Sequence, residues 1–375
     1  MVSIARASLR REPRRYVAAL LSVTFAGLLM LAQVALLQGL FGSVSAPLDR
    51  SAAPLWIGFP GAPSVDLGRE VSRHAVAAAH ADAEVRRVEP FSITGGDLRR
   101  ADGVAIGVLV YPLDTRPDAL LFSELVTPAQ RALLDEPDAL LIDVADLDKL
   151  GAEVGTRVEI NGRRAVIRGT VTGLRGVGGV TVLASWATAQ RFDPQLRGGG
   201  AQYWLVEPMP GADLQALAAR LADPSPHPRW QVYEARRFAT DSQLFWLFET
   251  GMGVGAGFGV LLALLVGVAI TSQTLSAAIN ASLKEFAALR ALGVSRAALR
   301  KVVLQLSGWI GVAGLLLTAL LTGLLLLLAR SQHVLMVVTP WSVAAAALLV
   351  LGITTWSGWL ALRPLYGAEP ATLLR

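Results

Sequence analysis

The residues with the clearest chemical potential lie together in one charged segment between two apolar runs. The segment spans Ser282–Lys301 and reads SLKEFAALRALGVSRAALRK. Thr250–Leu283 and Val302–Ala329 contain no Asp, Glu, Lys or Arg, and uncharged apolar runs of about 18 residues or more are candidates for transmembrane helices. The segment carries one acid, Glu285, and five basic residues, which are Lys284, Arg290, Arg296, Arg300 and Lys301. Because Lys and Arg are in excess in cytoplasmic loops, it is predicted to be a cytoplasmic loop between two membrane spans.

The pattern within this loop predicts a helix, a sharp break and a second helix. Leu283–Leu292 is rich in strong helix formers, Gly293 is suited to a helix end, and Ser295 is suited to cap a helix that begins at Arg296. Apolar residues fall on more than one face of the first helix, which suits a helix between the bilayer and a protein partner. An interfacial loop held by its arginines explains the same pattern, and the spacing leaves both interpretations open.

From Lys284 to Arg296 the sequence KEFAALRALGVSR resembles the cytoplasmic loop of FtsX-like (MacB-type, type VII) ABC transporter permeases. The matching positions, in order, are Glu285, Leu289, Arg290, Ala291, Leu292, Gly293 and Arg296. In that family the helix docks onto a separate ATP-binding-cassette subunit. The resemblance therefore implies ATPase-coupling roles for Lys284, Glu285, Phe286, Leu289, Arg290, Gly293 and Arg296. The stretch from Phe245 to Gln273, together with Gln305, is most similar to the DevC-like branch of the family.

ATP has no recognisable site in this sequence. A P-loop requires Gly-Lys followed by Ser or Thr, whereas Asp148, Leu283 and Arg300 precede the three lysines. No metal-ligand spacing connects the four histidines, which are His74, His80, His227 and His333. No GxSxG motif is present either. The chain is therefore predicted to be no enzyme, to have no metal site or cofactor, and to depend on a partner subunit that binds ATP.

Glycines recur at the start of the second apolar run. Gly251, Gly255 and Gly259 form consecutive GxxxG steps, which let two membrane helices approach closely. A phosphate-binding loop is disfavoured because the GxGxxG spacing is absent and no strand is predicted before it. The glycines thus predict helix packing, either against the first span of the same chain or at a two-fold dimer interface. The sequence leaves these two possibilities open.

The composition indicates a membrane protein with a large soluble part. The chain has 375 residues, of which 53% are hydrophobic and 17% charged, with a formal net charge of +5. The basic excess lies mainly in the N-terminal arm and the charged loop, so it indicates membrane topology rather than a nucleic-acid surface. Because the chain has no cysteine, disulfides and thiolate metal sites are excluded.

The predicted fold class is an integral membrane α-helical protein with four transmembrane helices, both termini inside, and a large α+β extracytoplasmic domain between helices 1 and 2. The predicted segments are a cytoplasmic basic arm (1–15), helix 1 (16–41), an extracytoplasmic MacB-like core domain (42–245), helix 2 (246–273), a cytoplasmic coupling loop (274–304), helix 3 (305–329), a short outer loop (330–339), helix 4 (340–362) and a cytoplasmic tail (363–375). A signal peptide ending near Val44-Ser45-Ala46 is the alternative for helix 1, but its apolar region is longer than usual.

Within the outer domain, alternating and β-branched runs predict strands at residues 55–59, 104–111, 140–143, 157–160, 165–171, 180–184, 203–206 and 230–233. Helices are predicted at residues 69–79, 128–134, 212–221 and 236–249. Asn161-Gly162 predicts a type I′ hairpin turn. The segment Glu153–Gly162 resembles the extracytoplasmic core domain of the same permease family.

The resemblance implies the permease subunit of an ATP-binding-cassette transporter that exports or extracts an amphiphile such as a lipid, lipopeptide, glycolipid or drug. It also implies a homodimer in the bacterial cytoplasmic (inner) membrane, with an ABC ATP-binding subunit, a periplasmic adaptor (membrane fusion protein) and membrane lipids as partners, and no nucleic acid. Two alternatives remain at this stage. They are a mechanotransmitting FtsX-type regulator of a cell-wall hydrolase, and a membrane-anchored sensor or scaffold.

Overall fold

The computed structural model describes residues 16–360, apart from 72, 101, 175–178, 282–293, 333 and 335. The chain divides into two compact units. The helical unit comprises Met1–Gly39 and Gly253–Arg375, and the outer unit comprises Leu40–Met252. The elements along the chain are α1 (Val17–Asp49), β1 (Leu55–Gly58), α2 (Arg73–Ala81), β2 (Val85–Phe91), β3 (Thr94–Arg99), β4 (Ala105–Leu113), α3 (Pro128–Leu133), β5 (Ala139–Asp143), α4 (Val144–Leu150), β6 (Arg157–Ile160), β7 (Arg163–Val171), β8 (Val180–Ser185), α5 (Trp186–Phe192), β9 (Tyr203–Pro208), α6 (Leu214–Leu221), β10 (Gln231–Glu234), α7 (Ala235–Phe248), α8 (Met252–Ala281), α9 (Arg296–Ser331) and α10 (Pro340–Leu360).

Four helices, α1, α8, α9 and α10, are long and apolar enough to cross a membrane. Many of their large apolar side chains are exposed on the protein surface, as expected for helices whose outer faces contact lipid. Ser295 caps α9 as predicted, because its hydroxyl accepts a hydrogen bond from the Ala298 amide at 3.2 Å. These four helices, with a large α+β domain inserted after the first, confirm the architecture of the predicted fold class.

Several helix boundaries differ from the predicted spans. α8 continues to Ala281 and not only to residue 273, and α9 begins at Arg296 and not at residue 305. The first helix does not end at residue 41 but continues to Asp49. The predicted second span began at residue 246, whereas Trp246 lies in α7 and α8 begins at Met252. Between them Gly251 has φ of 75°, a left-handed conformation that interrupts a helix and that glycine adopts without strain.

The outer unit contains two sheets. A four-stranded sheet has the order β10-β1-β9-β2 with antiparallel neighbours, and a closed six-stranded barrel has the order β3-β4-β8-β5-β7-β6. Every predicted strand is present, but β2, β3, α4 and α5 were not predicted. β2 contains two adjacent arginines and a proline, and β3 contains two glycines. These compositions are unusual for isolated strands, so pairing within the sheets determines the conformation of each, with β9 for β2 and with β4 and β6 for β3.

An aromatic cluster forms the centre of the largest core of the outer unit. The ring of Trp56 lies 5.0 Å from that of Phe91 and 5.8 Å from that of Tyr203, both in edge-to-face arrangements. These residues of the four-stranded sheet share one buried cluster with Leu141 and Leu183 of the barrel. The two sheets of the outer unit are therefore packed through a common apolar core.

The hairpin between β6 and β7 is confirmed. Asn161 and Gly162 have φ of 49° and 74°, as a type I′ turn requires. No described atom lies within 4 Å of a Cβ added at Gly162. A substitution there would therefore act through backbone strain and not through a steric clash.

Gly162→Val should consequently destabilise the outer unit by about 1 kcal/mol or more, because a β-branched residue is strained at positive φ. In thermal unfolding of the full chain, this corresponds to a fall of about 2–4 °C for a unit of this size. Gly107→Val is the matched control, since a Cβ there also meets no described atom within 4 Å and the strand backbone is not at positive φ. Equal unfolding temperatures for the two variants would contradict this account of the turn.

Candidate functional site

Most of the residues predicted to couple to the ATPase lie outside the described residues. This applies to Lys284, Glu285, Phe286, Leu289, Arg290 and Gly293. The structure describes the two ends of the segment, where α8 ends at Ala281 and α9 begins at Arg296. Their coupling roles therefore stay predictions from the sequence.

The three predicted packing glycines have different surroundings. Gly251 precedes α8 and is not part of it. No described atom lies within 4 Å of a Cβ added at Gly255, whereas a Cβ at Gly259 would be 3.1 Å from Gln33 Nε2 of α1. Within the part of the chain that the structure describes, Gly259 therefore packs against the first span, and the side of α8 at Gly255 is open. A dimer contact at Gly255 stays a prediction.

Small residues bring the other three long helices close to α1. A Cβ added at Gly267 of α8 would lie 2.7 Å from Ala26 Cβ, and one at Gly314 of α9 would lie 2.6 Å from Val23 Cγ1. A Cβ at Gly27 of α1 would meet both Thr318 of α9 and Val350 of α10. These close approaches are typical of helix packing in membranes, and they place α1 at the centre of the helical unit.

Polar side chains also connect the helices of this unit. Gln38 Nε2 of α1 donates to Thr339 Oγ1 at 3.1 Å, and Ser272 Oγ of α8 donates to Ser357 Oγ of α10 at 3.1 Å. Interhelical hydrogen bonds of this kind typically contribute about 0.6 kcal/mol each in a membrane. Hydrogen bonds between side chains thus link α1 to the residue that precedes α10, and α8 to α10.

In the outer unit, the end of α1 and the helix α7 are joined by a buried serine. Ser45 is fully buried, and its hydroxyl donates to Asp49 Oδ2 at 2.6 Å. Gln243 Nε2 of α7 donates to the same hydroxyl at 2.7 Å. Leu48 of α1 and Phe238 of α7 also belong to the main apolar core of this unit. The two helices through which the outer unit continues into the rest of the chain are therefore fixed to each other; we call this contact the stalk junction.

The stalk junction is anchored to a short 3₁₀ helix, Val65–Leu67. Ser242 is fully buried and accepts a hydrogen bond from the Val65 amide at 3.1 Å. Trp246 Nε1 donates to Asp66 Oδ1 at 3.1 Å. Trp246, the predicted first residue of the second span, therefore has its ring nitrogen bonded within the outer unit. The sequence does not predict the stalk junction, because no local pattern indicates that Ser45 and Gln243 contact each other.

A buried ion network holds the segment between β4 and α3. Arg131 is fully buried and donates to the backbone oxygens of Asp114 at 2.8 Å, Ala119 at 3.4 Å and Leu121 at 2.5 Å. Burial lowers the pKa of Arg131, but guanidinium groups in proteins remain protonated. One side chain thus satisfies three carbonyl groups of an irregular segment.

Glu89 of β2 is the acidic member of this network. Its side chain is almost fully buried and accepts a hydrogen bond from the Leu120 amide at 2.8 Å. It also pairs with Arg87 at 3.3 Å and Arg116 at 3.4 Å. Burial raises the pKa of Glu89, although the Leu120 amide and Arg87 oppose the shift. The network connects the four-stranded sheet to the segment that Arg131 holds.

Among the described residues, no group of three or more His, Cys, Asp or Glu side chains is placed to hold a metal ion. The other described features of interest are the close packing around α1, the stalk junction and the ends of the charged loop.

Comparisons with known proteins identify both units. A family model described as the MacB-like periplasmic core domain matches residues 17–223, more than half of the 375 residues. A model described as the FtsX-like permease C-terminal matches residues 257–370. Neither match distinguishes a branch, so similarity to the DevC-like branch stays a prediction. The comparison with curated proteins found no match.

Several solved structures resemble the chain over about half its length. The periplasmic region of MacB from Actinobacillus actinomycetemcomitans is 11% identical with a TM-score of 0.36, and the alignment covers 52% of this chain and 94% of that one. The extracellular domain of the noncanonic ABC-type transporter YknZ from Gram-positive bacteria is 10% identical with a TM-score of 0.35, covering 48% and 98%. A domain of a permease protein from Porphyromonas gingivalis is 16% identical with a TM-score of 0.33, covering 50% and 91%.

The two family matches account for the outer unit and for the last three long helices in the order that the sequence predicted. Together with four helices long enough to span a bilayer, they confirm the resemblance drawn from the charged loop and the hairpin. The chain is a multi-pass membrane protein that belongs to the FtsX-like, MacB-type family of ABC transporter permeases.

Proposed function

We propose that this chain is the membrane subunit that couples a separate ATPase to movement of its outer unit. Permeases of this family work with an ABC ATPase partner. The observation that carries the proposal is the insertion of the outer unit between the first and second of four apolar helices. The chain passes between the two units within α1 and again at the start of α8, which follows α7. The stalk junction joins α1 to α7.

The proposed mechanism is a transfer of displacement through packed helices. When the ATPase subunits close on ATP, they displace the loop around Glu285 and Gly293, which lies between α8 and α9. Because small residues pack α8 and α9 closely against α1, displacement of either helix shifts α1. Interiors packed this closely transmit displacement instead of absorbing it. The outer unit then moves through the stalk junction.

The substrate class we propose is an amphiphile such as a lipid, lipopeptide, glycolipid or drug. An outer unit attached directly to apolar spans is suited to handle molecules that leave the bilayer. The proposed assembly contains two copies of this chain, two ATPase subunits and a periplasmic adaptor in the bacterial inner membrane. Its N-terminus, C-terminus and charged loop are on the cytoplasmic side.

Orientation is tested with single cysteines, because the native chain contains none. Ser123→Cys and Val154→Cys, both at exposed positions of the outer unit, should react with an impermeant thiol reagent added to sealed cells. Ala288→Cys should react only after the membrane is permeabilised. Labelling of Ala288→Cys from outside would invert the proposed topology.

The function is tested by co-expression with an ATPase encoded by the neighbouring gene. That ATPase is recognised by its P-loop, in which Gly-Lys is followed by Ser or Thr. The two proteins should co-purify, and the ATPase should reach the membrane fraction only when this chain is present. An ATPase that stays in the soluble fraction when this chain is present, and does not co-purify with it, would contradict the proposal. A neighbouring kinase or cell-wall hydrolase that co-purifies in its place would favour the sensor or regulator alternatives.

A further inference from the structure

The outer unit contains a cleft of about 550 Å³. It lies between α2, which packs on the four-stranded sheet, and α5, which packs on the barrel. Residues of α2, β2 and β9 line one side of it, and residues of α5 and the following 3₁₀ segment Pro194–Gly198 line the other. Small-molecule sites in proteins typically enclose about 300–1,000 Å³. The cleft therefore has the size of a ligand site, and it lies between the four-stranded sheet with α2 and the helix α5.

The lining of this cleft is mainly apolar. The apolar side chains are Val76, Ala77, Pro90, Trp186, Leu196 and Trp204. Two tryptophans in one cleft provide a large apolar surface that can contact a flexible chain. Burial of hydrocarbon against such a surface is favourable in proportion to the area removed from water.

The polar groups at the cleft are cationic or neutral. Arg73 Nε donates to the Gly199 backbone oxygen at 2.6 Å, which fixes the guanidinium beside the cleft. Arg197 Nε donates to the backbone oxygen of Gln190, another lining residue, at 3.2 Å. None of the described lining residues is acidic, and the nearby Glu70 belongs to a neighbouring polar cleft. The charge at the cleft is therefore complementary to an anionic head group.

We propose that this cleft binds a single-chain amphiphile, with its hydrocarbon chain against Trp186 and Trp204 and its anionic head group at Arg73. The inference rests on the proposed transport of amphiphiles and specifies where the outer unit holds one. Because one wall comes from the four-stranded sheet with α2 and the other from α5, which packs on the barrel, a change in the relative position of the two sheets would change the shape of the site. The same movement that ATP drives would then load or release the ligand.

The test uses the full chain in phosphatidylcholine nanodiscs and a photoreactive palmitic acid that carries a diazirine on its chain. After irradiation, mass spectrometry should locate adducts on α2 and α5, and excess palmitic acid should suppress them. Adducts on the lipid-facing side of α8 provide an internal reference for probe that has partitioned into the bilayer. The absence of saturable adducts on α2 and α5 would overturn the proposal.

Two substitutions in α2 give a matched pair. Ala77→Trp fills the cleft and should lower adducts on α5 by about tenfold. Ala78→Trp, at an exposed position outside the cleft, should leave them unchanged. Adducts on α8 should be equal in both variants. Equal labelling of α5 in the two variants would show that the probe reaches this helix without occupying the cleft.

The head group is tested with Arg73→Gln and a second probe, the neutral alcohol analogue of the photoreactive acid. The variant should reduce the ratio of acid to alcohol adducts in the cleft by about tenfold. An unchanged ratio of acid to alcohol adducts would show that Arg73 does not bind the head group. ATPase co-purification is measured on the same preparations. If the unsubstituted chain shows no saturable labelling of the cleft but binds the ATPase normally, this inference alone is overturned, whereas loss of ATPase binding concerns the proposed function.

Discussion

Replacing Arg131 with Met should lower the free energy of unfolding of the outer unit by about 3 kcal/mol or more. The guanidinium of Arg131 is fully buried and donates to the backbone oxygens of Asp114, Ala119 and Leu121. Methionine preserves most of the apolar packing but provides no donor, so three acceptors lose their partner. The buried carboxylate of Glu89 also loses a nearby positive charge.

The measurement is thermal unfolding of the full chain, followed by tryptophan fluorescence. The expected loss corresponds to a fall of about 6–12 °C for a unit of this size. Arg116→Met is the matched control, because Arg116 pairs with Glu89 and Asp114 but its side chain is half exposed. Exposed pairs contribute at most about 1 kcal/mol. Equal shifts for the two variants would mean that the segment between β4 and α3 does not depend on the buried guanidinium.

Local signals in the sequence were sufficient for much of the fold. The uncharged runs predicted all four long helices, because length and hydropathy alone decide whether a helix can span a bilayer. Asn161-Gly162 predicted a hairpin, and Ser295 predicted a helix start. In each of these cases the residue itself adopts or satisfies the backbone conformation concerned, so no distant contact is needed.

Features that depend on distant contacts could not be predicted. β2 and β3 have the composition of loops and become strands because they pair with β9, β4 and β6. The stalk junction joins Ser45 to Gln243 across 198 positions of the chain. The apolar cleft brings α2 together with α5 in the same way. In each of these cases the tertiary fold, and not the local pattern, determines the contact.

The second large effect is expected in the charged loop. Phe286→Ala combined with Leu289→Ala should abolish most co-purification of the ATPase. In the predicted helix these positions are three apart and therefore share one face. Apolar anchors at the centre of an interface contribute about 2 kcal/mol or more each, which corresponds to a loss of affinity of about 30-fold per residue. Insertion in the membrane should be normal, because the spans are unchanged.

Two further variants separate binding from coupling. Ala288→Ser is the matched control, since residue 288 falls on the other side of the predicted helix, and it should bind the ATPase normally. Gly293→Val should retain part of the binding but uncouple ATP hydrolysis from transport, because a Cβ at the helix break re-aims the docking helix. If the double alanine variant retains full ATPase binding and activity, the charged segment is only an interfacial loop.

The central claim is that ATP bound by the partner moves the outer unit of this chain. Hydrogen exchange of the outer unit, measured in the purified complex with and without ATP, tests it most directly. The account predicts that ATP changes the exchange of backbone amides at the stalk junction, in the last turns of α1 and in α7. It also predicts no change when the lysine of the partner's Gly-Lys-Ser/Thr motif is replaced by alanine. Identical exchange in both nucleotide states, in a complex that still hydrolyses ATP, would contradict the account.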